Sequence, residues 1–445
     1  MVALVFLALL SIGVPIAFVL GLTSLFYLIK IDLPLVLIPQ RIYVGLDSFL
    51  IVAVPLFILA GRIMNEAGIT PRLVKLSSLV IGNIRGGLTY IVVISSMLFA
   101  GITGVGSADT SAIGSIMIPA MEREGYKKEY SAAVCAASGI IGPIIPPSVV
   151  MVIYGSMANA SIARLFLGGF IPGILLGISI MTVAYYYIKK YKLRKSSLGL
   201  PKNLREYIEG ILSLLMPFII IGGILSGAFT PTEAAAFSVF YALILGFFVT
   251  RELKLNALPK ILLESGITSG SILMIIGCAA LFGWILAREA IPEKIGQFMF
   301  YITNNKYVLL LLINFFLIFL GTFMETLAAV ILTLPMLLPI ITKIGVDPVH
   351  FGIIMAVNLS VGLITPPLGI CAFVAASLAK ISLERISKAL IPFIIATVVI
   401  VLLVTYLPGL VLFLPIFFLK ILYQATLDNG CVVYQNINSF KFFNN

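Results

Sequence analysis

The chain has 445 residues, of which 61% are hydrophobic and 11% charged, with a mean hydropathy of +1.16. A soluble domain is about 45–50% apolar and about 25% charged, so the composition excludes a soluble fold and indicates a polytopic α-helical membrane protein. The formal net charge of +11 is read as topology, because cytoplasmic loops collect Lys and Arg, and no nucleic-acid partner is implied.

The first uncharged run, "LVFLALLSIGVPIAFVLGLTSLFYLI", exceeds the roughly 20 residues needed to cross a hydrocarbon core. It is too long, and lacks the flanks, for a cleaved signal peptide. Full spans are expected at 2–29, 49–66, 131–156, 165–188, 210–229, 234–250, 265–287, 351–376 and 389–418. Two further apolar stretches, 88–121 and 307–342, carry "GITGVGSAD" and "GTFMET" near their middles. Each is expected to be a helical hairpin that enters and leaves on one side. The loop 189–205 holds seven basic residues and no acid, which makes it the best cytoplasmic candidate. Counting outward from it places the N-terminus inside, the first hairpin entering from the cytoplasm, the second from the opposite side, and the C-terminus outside.

A repeat organises the chain. Residues 99–147 align on 319–367 at an offset of 220 without a gap, and Gly and Pro carry the register: Gly101, Pro119, Gly125, Gly142, Pro146 and Pro147 meet Gly321, Pro339, Gly345, Gly362, Pro366 and Pro367. The span count gives the two copies opposite orientations. The expected division is a first inverted repeat over 1–188, a linking segment over 189–233, a second repeat over 234–420, and an atypical polar tail over 421–445. Inverted repeats with paired broken helices point to a secondary transporter and to its binding site.

The breaks are "GIIGPIIPPS" at 139–148 and "GLITPPLG" at 362–369. A proline inside a helix removes an N–H and clashes with the preceding turn, and the residue before it is pushed to extended conformations. Backbone groups freed in hydrocarbon must find partners. A cation can satisfy the carbonyls, and the new half-helix N-terminus attracts an anion. Pairing 101–108 with 139–148, and 321–326 with 358–369, gives two candidate ion cages built mostly of backbone oxygen. Thr103, Ser138, Asn358 and Thr365 can add side-chain oxygens. The competing explanation is that Gly and Pro only kink packed helices.

Acids at membrane depth are rare and costly. Asp109 and Glu325 sit at the two hairpin turns, either attracting a cation and gating the hairpin or capping a half-helix at a wet tip. Glu233 in "TPTEAAA" is most simply a first-turn acid with Thr230 or Thr232 as cap. Arg288 and Glu289 form a solvated pair at a span end, and Trp284 is lipid-facing or interfacial. The four cysteines show no metal-ligand or disulfide spacing. With His350 the only histidine, neither a zinc site nor a histidine relay is expected. The chain offers no HExxH, no GxSG-type nucleophile with a histidine and no paired aspartate motif, which argues against an intramembrane enzyme.

With these features in view, the chain resembles the large permease subunit of tripartite ATP-independent periplasmic (TRAP) transporters. The residues carrying the resemblance include "PLFILAGRIMNEAGI" at 55–69, "ADTSAIGSIMIPAM" at 108–121, "GIIGPIIPPS" at 139–148, "SIARLFLGGFIPG" at 161–173, "TPTEAAAFSVFYAL" at 230–243 and "NLSVGLITPPLG" at 358–369. The resemblance implies an elevator-type carrier in the bacterial inner membrane. It would take up an organic acid with sodium, fed by a periplasmic solute-binding protein and joined to a small four-helix membrane subunit. Carried over by motif, Thr103, Ser138, Gly142 and Pro143 fall at a first sodium site, and Gly321, Gly362, Thr365 and Leu368 at a second. Asp109, Ser148 and Ser161 fall in the substrate region. Val105 departs from the family pattern, which has a serine there, and Ser107 can compensate. The tail after residue 420 matches nothing in the family and is expected to be disordered and dispensable. The rival assignment is a stand-alone dicarboxylate or citrate carrier of similar architecture that needs no partners.

Overall fold

The computed structural model describes residues 2–81, 84–191 and 204–428. Among them the regular elements are helices, with no strand, and seven helices are long and apolar enough to cross a membrane. The first expected span is two helices, α1 (Val2–Ser11) and α2 (Ile16–Lys30). Gly13 takes a left-handed φ of 84° and Pro15 caps α2, so the pair interrupts a run that apolarity alone makes continuous. Next come α3 (Leu37–Leu46), α4 (Ala53–Glu66) and α5 (Ile69–Ile81). Helices α3 and α5 were not expected as elements. At about 1.5 Å per residue both are too short to cross hydrocarbon. α5 instead buries one stripe, with Ile69, Leu73 and Ser77 inward and Lys75 outward, the pattern of a helix lying on a protein surface.

The first hairpin is α6 (Gly87–Thr103) and α7 (Gly106–Arg123), turned by Gly104 at φ 62°. The first broken helix is α8 (Lys128–Gly139) and α9 (Val149–Ala158). Helix α10 (Ile162–Tyr191) runs 30 residues, and residues 192–203 of the basic loop lie outside the described residues. Then follow α11 (Leu204–Leu225), α12 (Pro231–Ile244, continued by a π-turn to Val249), α13 (Leu258–Arg288) and α14 (Ile291–Ile302). Thr230 and Glu233 form a reciprocal capping box at the start of α12. Glu289 is not simply solvated, because it accepts a hydrogen bond from Tyr27. Trp284 carries Arg41 and Arg288 at 4.9 and 5.7 Å from its ring centroids.

The second hairpin is α15 (Lys306–Gly321) and α16 (Thr326–Lys343), and the second broken helix is α17 (Pro348–Gly362) and α18 (Ile370–Ala379). The expected last span, 389–418, is also two helices, α19 (Leu383–Tyr406) and α20 (Pro408–Asp428). Pro408 has no N–H to continue α19, and Leu407 is pushed out of the helical region to φ −116°, ψ 79°. Residues 421–428, expected to be disordered, are helical in α20, and 429–445 lie outside the described residues.

The 220-residue offset carries α7 onto α16 with the same bounds, and α5 onto α14 within two residues. Gly125 and Gly345 both turn at positive φ, and both Pro–Pro bonds, 146–147 and 366–367, are cis. The two halves interlock. α7 packs on α8 of its own half and on α18 of the other, while α16 packs on α17 of its own half and on α9 of the other. A second body forms where α13 packs on α2, α3 and α4, and α12 packs on α4.

Candidate functional site

Each broken helix meets the hairpin of its own half at close backbone range. A Cβ placed on Gly104, at the first hairpin tip, would lie 2.8 Å from the Val149 nitrogen and 3.1 Å from the Pro147 oxygen. Only glycine lets the tip approach this closely, and its left-handed φ excludes most other residues there. In the second half the contact is a hydrogen bond, from the Gly369 amide to the Thr322 carbonyl at 3.1 Å.

At the first site Thr103 donates its hydroxyl hydrogen to Asp109 Oδ1. Asp109 is fully buried, and its other oxygen, Oδ2, has no hydrogen-bond partner. That oxygen points at the break, since a Cβ on Gly142 would lie 2.5 Å from it. Ser138, at the end of α8, is also fully buried, and its hydroxyl oxygen is unpartnered. Buried polar atoms without partners cost free energy. Both lie at the junction of the first hairpin and break, where Asp109 Oδ2, Ser138 Oγ and the backbone carbonyls of residues 140–147 are the oxygens that could hold a cation. The Pro143 carbonyl accepts from Ser148 Oγ at 2.6 Å and keeps its second lone pair. Ser148 in turn accepts from the Met151 amide as the N-cap of α9. Ser148 is therefore buried and committed to the backbone of the break.

The second site is built differently. Gly321 and Gly362 bring α15 and α17 into backbone contact. A Cβ on Gly362 would lie 2.5 Å from Gly321, and one on Gly321 would lie 2.6 Å from the Leu359 oxygen. Close helix packing alone thus requires glycine at both positions. Thr365 bonds back to the Val361 carbonyl at 2.8 Å, which leaves hydroxyl lone pairs free. Asn358 donates to Asn314 and to the Ile354 carbonyl, while its Oδ1 is unpartnered. Asn314 continues the chain of bonds to Thr405 on α19. Leu368 is about half exposed, and Pro366 and Pro367 beside it are exposed as well.

The two sites are joined at the hairpin tips. Ser107, in the first turn of α7, donates to Glu325 Oε1 at 3.2 Å, where Glu325 is the N-cap of α16. The Gly106 Cβ position lies 3.1 Å from both the Gly139 oxygen and Leu363 of the second break. The structure thus brings Thr103, Asp109, Ser138, Gly142 and Ser148 together, gathers Gly321, Asn358, Gly362 and Thr365 in the matching place, and sets Ser107 and Glu325 between them. Ser161 is not in this group. It is exposed, accepts from the Arg164 amide at the start of α10, and stands beyond the far end of α9, about 15 Å of helix from Ser148. Asn314 escaped the sequence analysis, although it was detectable as a lone amide in the apolar run "LLLINFFL"; Ser107 and Glu325 were each singled out, but the bond between them spans 218 residues and leaves no local trace.

The described residues hold no group of three or more His, Cys, Asp or Glu side chains able to bind a metal ion, so any cation here relies on backbone, hydroxyl and single-carboxylate oxygen. Comparison with known proteins gives a consistent picture. The profile "Tripartite ATP-independent periplasmic transporter, DctM component" matches residues 3–410. The isethionate TRAP transporter permease protein DctMQ of Oleidesulfovibrio alaskensis is 43% identical over 407 residues, covering 91% of this chain and 64% of that protein. This chain therefore spans just under two thirds of that relative. The sialic acid TRAP transporter large permease SiaM of Vibrio cholerae is 40% identical, covering 93% of this chain and 97% of the relative. The C4-dicarboxylate TRAP transporter large permease DctM of Pseudomonas aeruginosa is 38% identical over 83% and 87%. Among solved structures, the YdaH transporter of Alcanivorax borkumensis superposes with a TM-score of 0.60 at 14% identity, covering 83% of this chain and 87% of that one, a likeness of fold alone.

Proposed function

The chain belongs to the DctM component family of tripartite ATP-independent periplasmic transporters, and from that premise we propose that it is the large membrane subunit of a sodium-coupled importer of an organic anion. The observation that carries the coupling is the pair of buried, unpartnered oxygens, Asp109 Oδ2 and Ser138 Oγ, beside the first break. A transported cation supplies the missing partner, and its charge offsets the cost of an ionised carboxylate at membrane depth. The substrate class follows the relatives, whose names specify isethionate, sialic acid and C4-dicarboxylates, all small organic acids.

In the mechanism, ions enter the two hairpin–break cages first. The cation at Asp109 neutralises the tip of the first hairpin, and the substrate anion then binds between the tips, near Ser107 and against the N-termini of the half-helices. Ion and substrate each favour the other's bound state, as linkage requires. The interlocked hairpins and broken helices move as one body against the scaffold of α2, α3, α4, α12 and α13, which is an elevator motion. The hairpins re-enter from opposite faces, and the basic loop 189–205 faces the cytoplasm. A periplasmic solute-binding protein delivers the substrate, and a small membrane subunit completes the complex in the bacterial inner membrane.

The test is reconstitution of this chain with its small subunit and binding protein in proteoliposomes, with uptake of labelled isethionate, sialic acid and succinate followed under an inward sodium gradient. Uptake of one of these that depends on sodium and on all three components is expected. Uptake indifferent to sodium would overturn the coupling, and uptake by this chain alone would instead identify a stand-alone carrier.

A further inference from the structure

One face of α10 changes character with depth. Ile178, Met181, Thr182, Tyr185 and Tyr186 line a groove of about 260 Å³ on its outer surface. Their spacing of three and four residues puts them on a single stripe, and the same stripe continues to Lys189 and Lys190. Ile178 to Lys189 is eleven residues of helix, about 16 Å, which is close to half the hydrocarbon thickness of about 30 Å. The stripe is therefore as long as one leaflet: apolar at the bottom, tyrosines near the top, two ammonium groups at the edge. Tyrosine at the interface and lysine at the headgroups is the order that a leaflet imposes.

The basic end is larger than α10 alone. Lys127 lies 5.0 Å and Lys190 5.7 Å from the centroid of the Tyr191 ring. Gly86 packs against Ile188, which brings exposed Arg85 to the same end. Lys127, Lys189 and Lys190 form no ion pair among the described residues. The chain then continues with five further basic residues and no acid between positions 192 and 205. Lysines with no ion pair among the described residues, at the end of an apolar stripe of leaflet length, complement one occupant, a lipid with an anionic headgroup.

We propose that this face of α10 binds one anionic phospholipid, with an acyl chain in the groove and the phosphate between Lys189 and Lys190. The proposal does not depend on which solute is carried. The experiment is native mass spectrometry of the full chain in neutral detergent, titrated with phosphatidylglycerol or with phosphatidylcholine of the same acyl chains. Wild-type protein is expected to retain phosphatidylglycerol preferentially. Each lysine near an anionic surface contributes about a fivefold factor, so Lys189→Gln with Lys190→Gln should lower that retention roughly 25-fold and leave phosphatidylcholine unchanged. Thr182→Trp, which fills the groove without touching the charges, should lower retention of phosphatidylglycerol as well. Equal retention of the two lipids by wild-type protein, or unchanged retention in the double variant, would overturn the proposal. So would displacement of the lipid by inorganic phosphate combined with no effect of Thr182→Trp, which would indicate a plain anion site. Loss of the adduct when the small membrane subunit co-purifies would assign the face to a protein partner and overturn it too.

Discussion

Thr103 fixes one carboxylate oxygen of Asp109 and leaves the other facing the backbone of Gly142. The hydrogen bond closes the first hairpin turn and aims a single unpartnered oxygen at the break. Asp109→Asn keeps the shape and removes the charge, so the protein should express and fold normally. Hydrogen bonds to charged groups are worth about 1.5–3 kcal/mol, so the sodium concentration giving half-maximal uptake should rise about tenfold or more. Raised sodium should recover part of the lost rate. An Asn variant as active as wild type at low sodium would make Asp109 a plain structural acid.

Gly142→Ala tests the same pocket from the other wall. The added methyl would meet Asp109 Oδ2 at 2.5 Å, closer than packing tolerates. Sodium dependence should weaken more than thermal stability does. Equal losses of both would place Gly142 in packing rather than in ion binding.

In the second half the balance reverses. Gly362→Ala drives a methyl into the backbone of Gly321, and overpacking of this kind costs about 1–3 kcal/mol or more. The melting temperature should fall clearly. Thr365→Ala removes a hydroxyl bonded only to the Val361 carbonyl at the end of α17, so stability should barely change while sodium dependence shifts. A stable Gly362→Ala protein would contradict the close approach of α15 and α17.

Arg72 ties three elements together on the scaffold side. Its guanidinium bonds Glu209 on α11 at 2.7 Å, Glu252 after α12 at 3.0 Å, and the Gly68 carbonyl at 2.7 Å. Removing the guanidinium takes one partner from the buried Glu209 and unties the segment after α12 from α5. Arg72→Met should lower stability by about 2–4 kcal/mol, discounted from the fully buried case because Glu252 is half exposed. The expected signature is reduced yield and melting temperature, with the sodium dependence of the surviving protein unchanged.

The fold was legible in the sequence wherever backbone chemistry, rather than apolarity, marked it. The two breaks and the hairpin turns are spelled in Gly and Pro, and these place 139–148 and 362–369 correctly within an otherwise uniform composition. Apolarity hid other boundaries. Gly13 and Pro15 split a run that reads as one span, and Pro408 splits another. α5 and α14 were missed for the opposite reason: their polar stripes read as loop, although burial shows a 3.6-residue period along α5. The candidate site was legible in part. Asp109 and Gly142 are 33 residues apart and meet only through the matched Gly and Pro of hairpin and break, whereas Ser161 lies beyond the far end of α9 from Ser148. The bond between Ser107 and Glu325 exists only once the halves interlock.

The two breaks also differ in cover. Residues 139–150 are buried throughout, under Pro217 of α11 and against Gly169 and Gly173 of α10. Pro366, Pro367 and Leu368 are at the surface. Unpaired backbone is not tolerated against hydrocarbon, so the exposed second break calls for contact with water or with protein. A cysteine at Leu368 should react quickly with a water-soluble maleimide, and one at Ile145 only when the first break becomes uncovered. Twin halves with unequal cover would run on different clocks under the proposed coupling: an ion at the second break should exchange with bulk solution sooner than one at the first, which α10 and α11 cover.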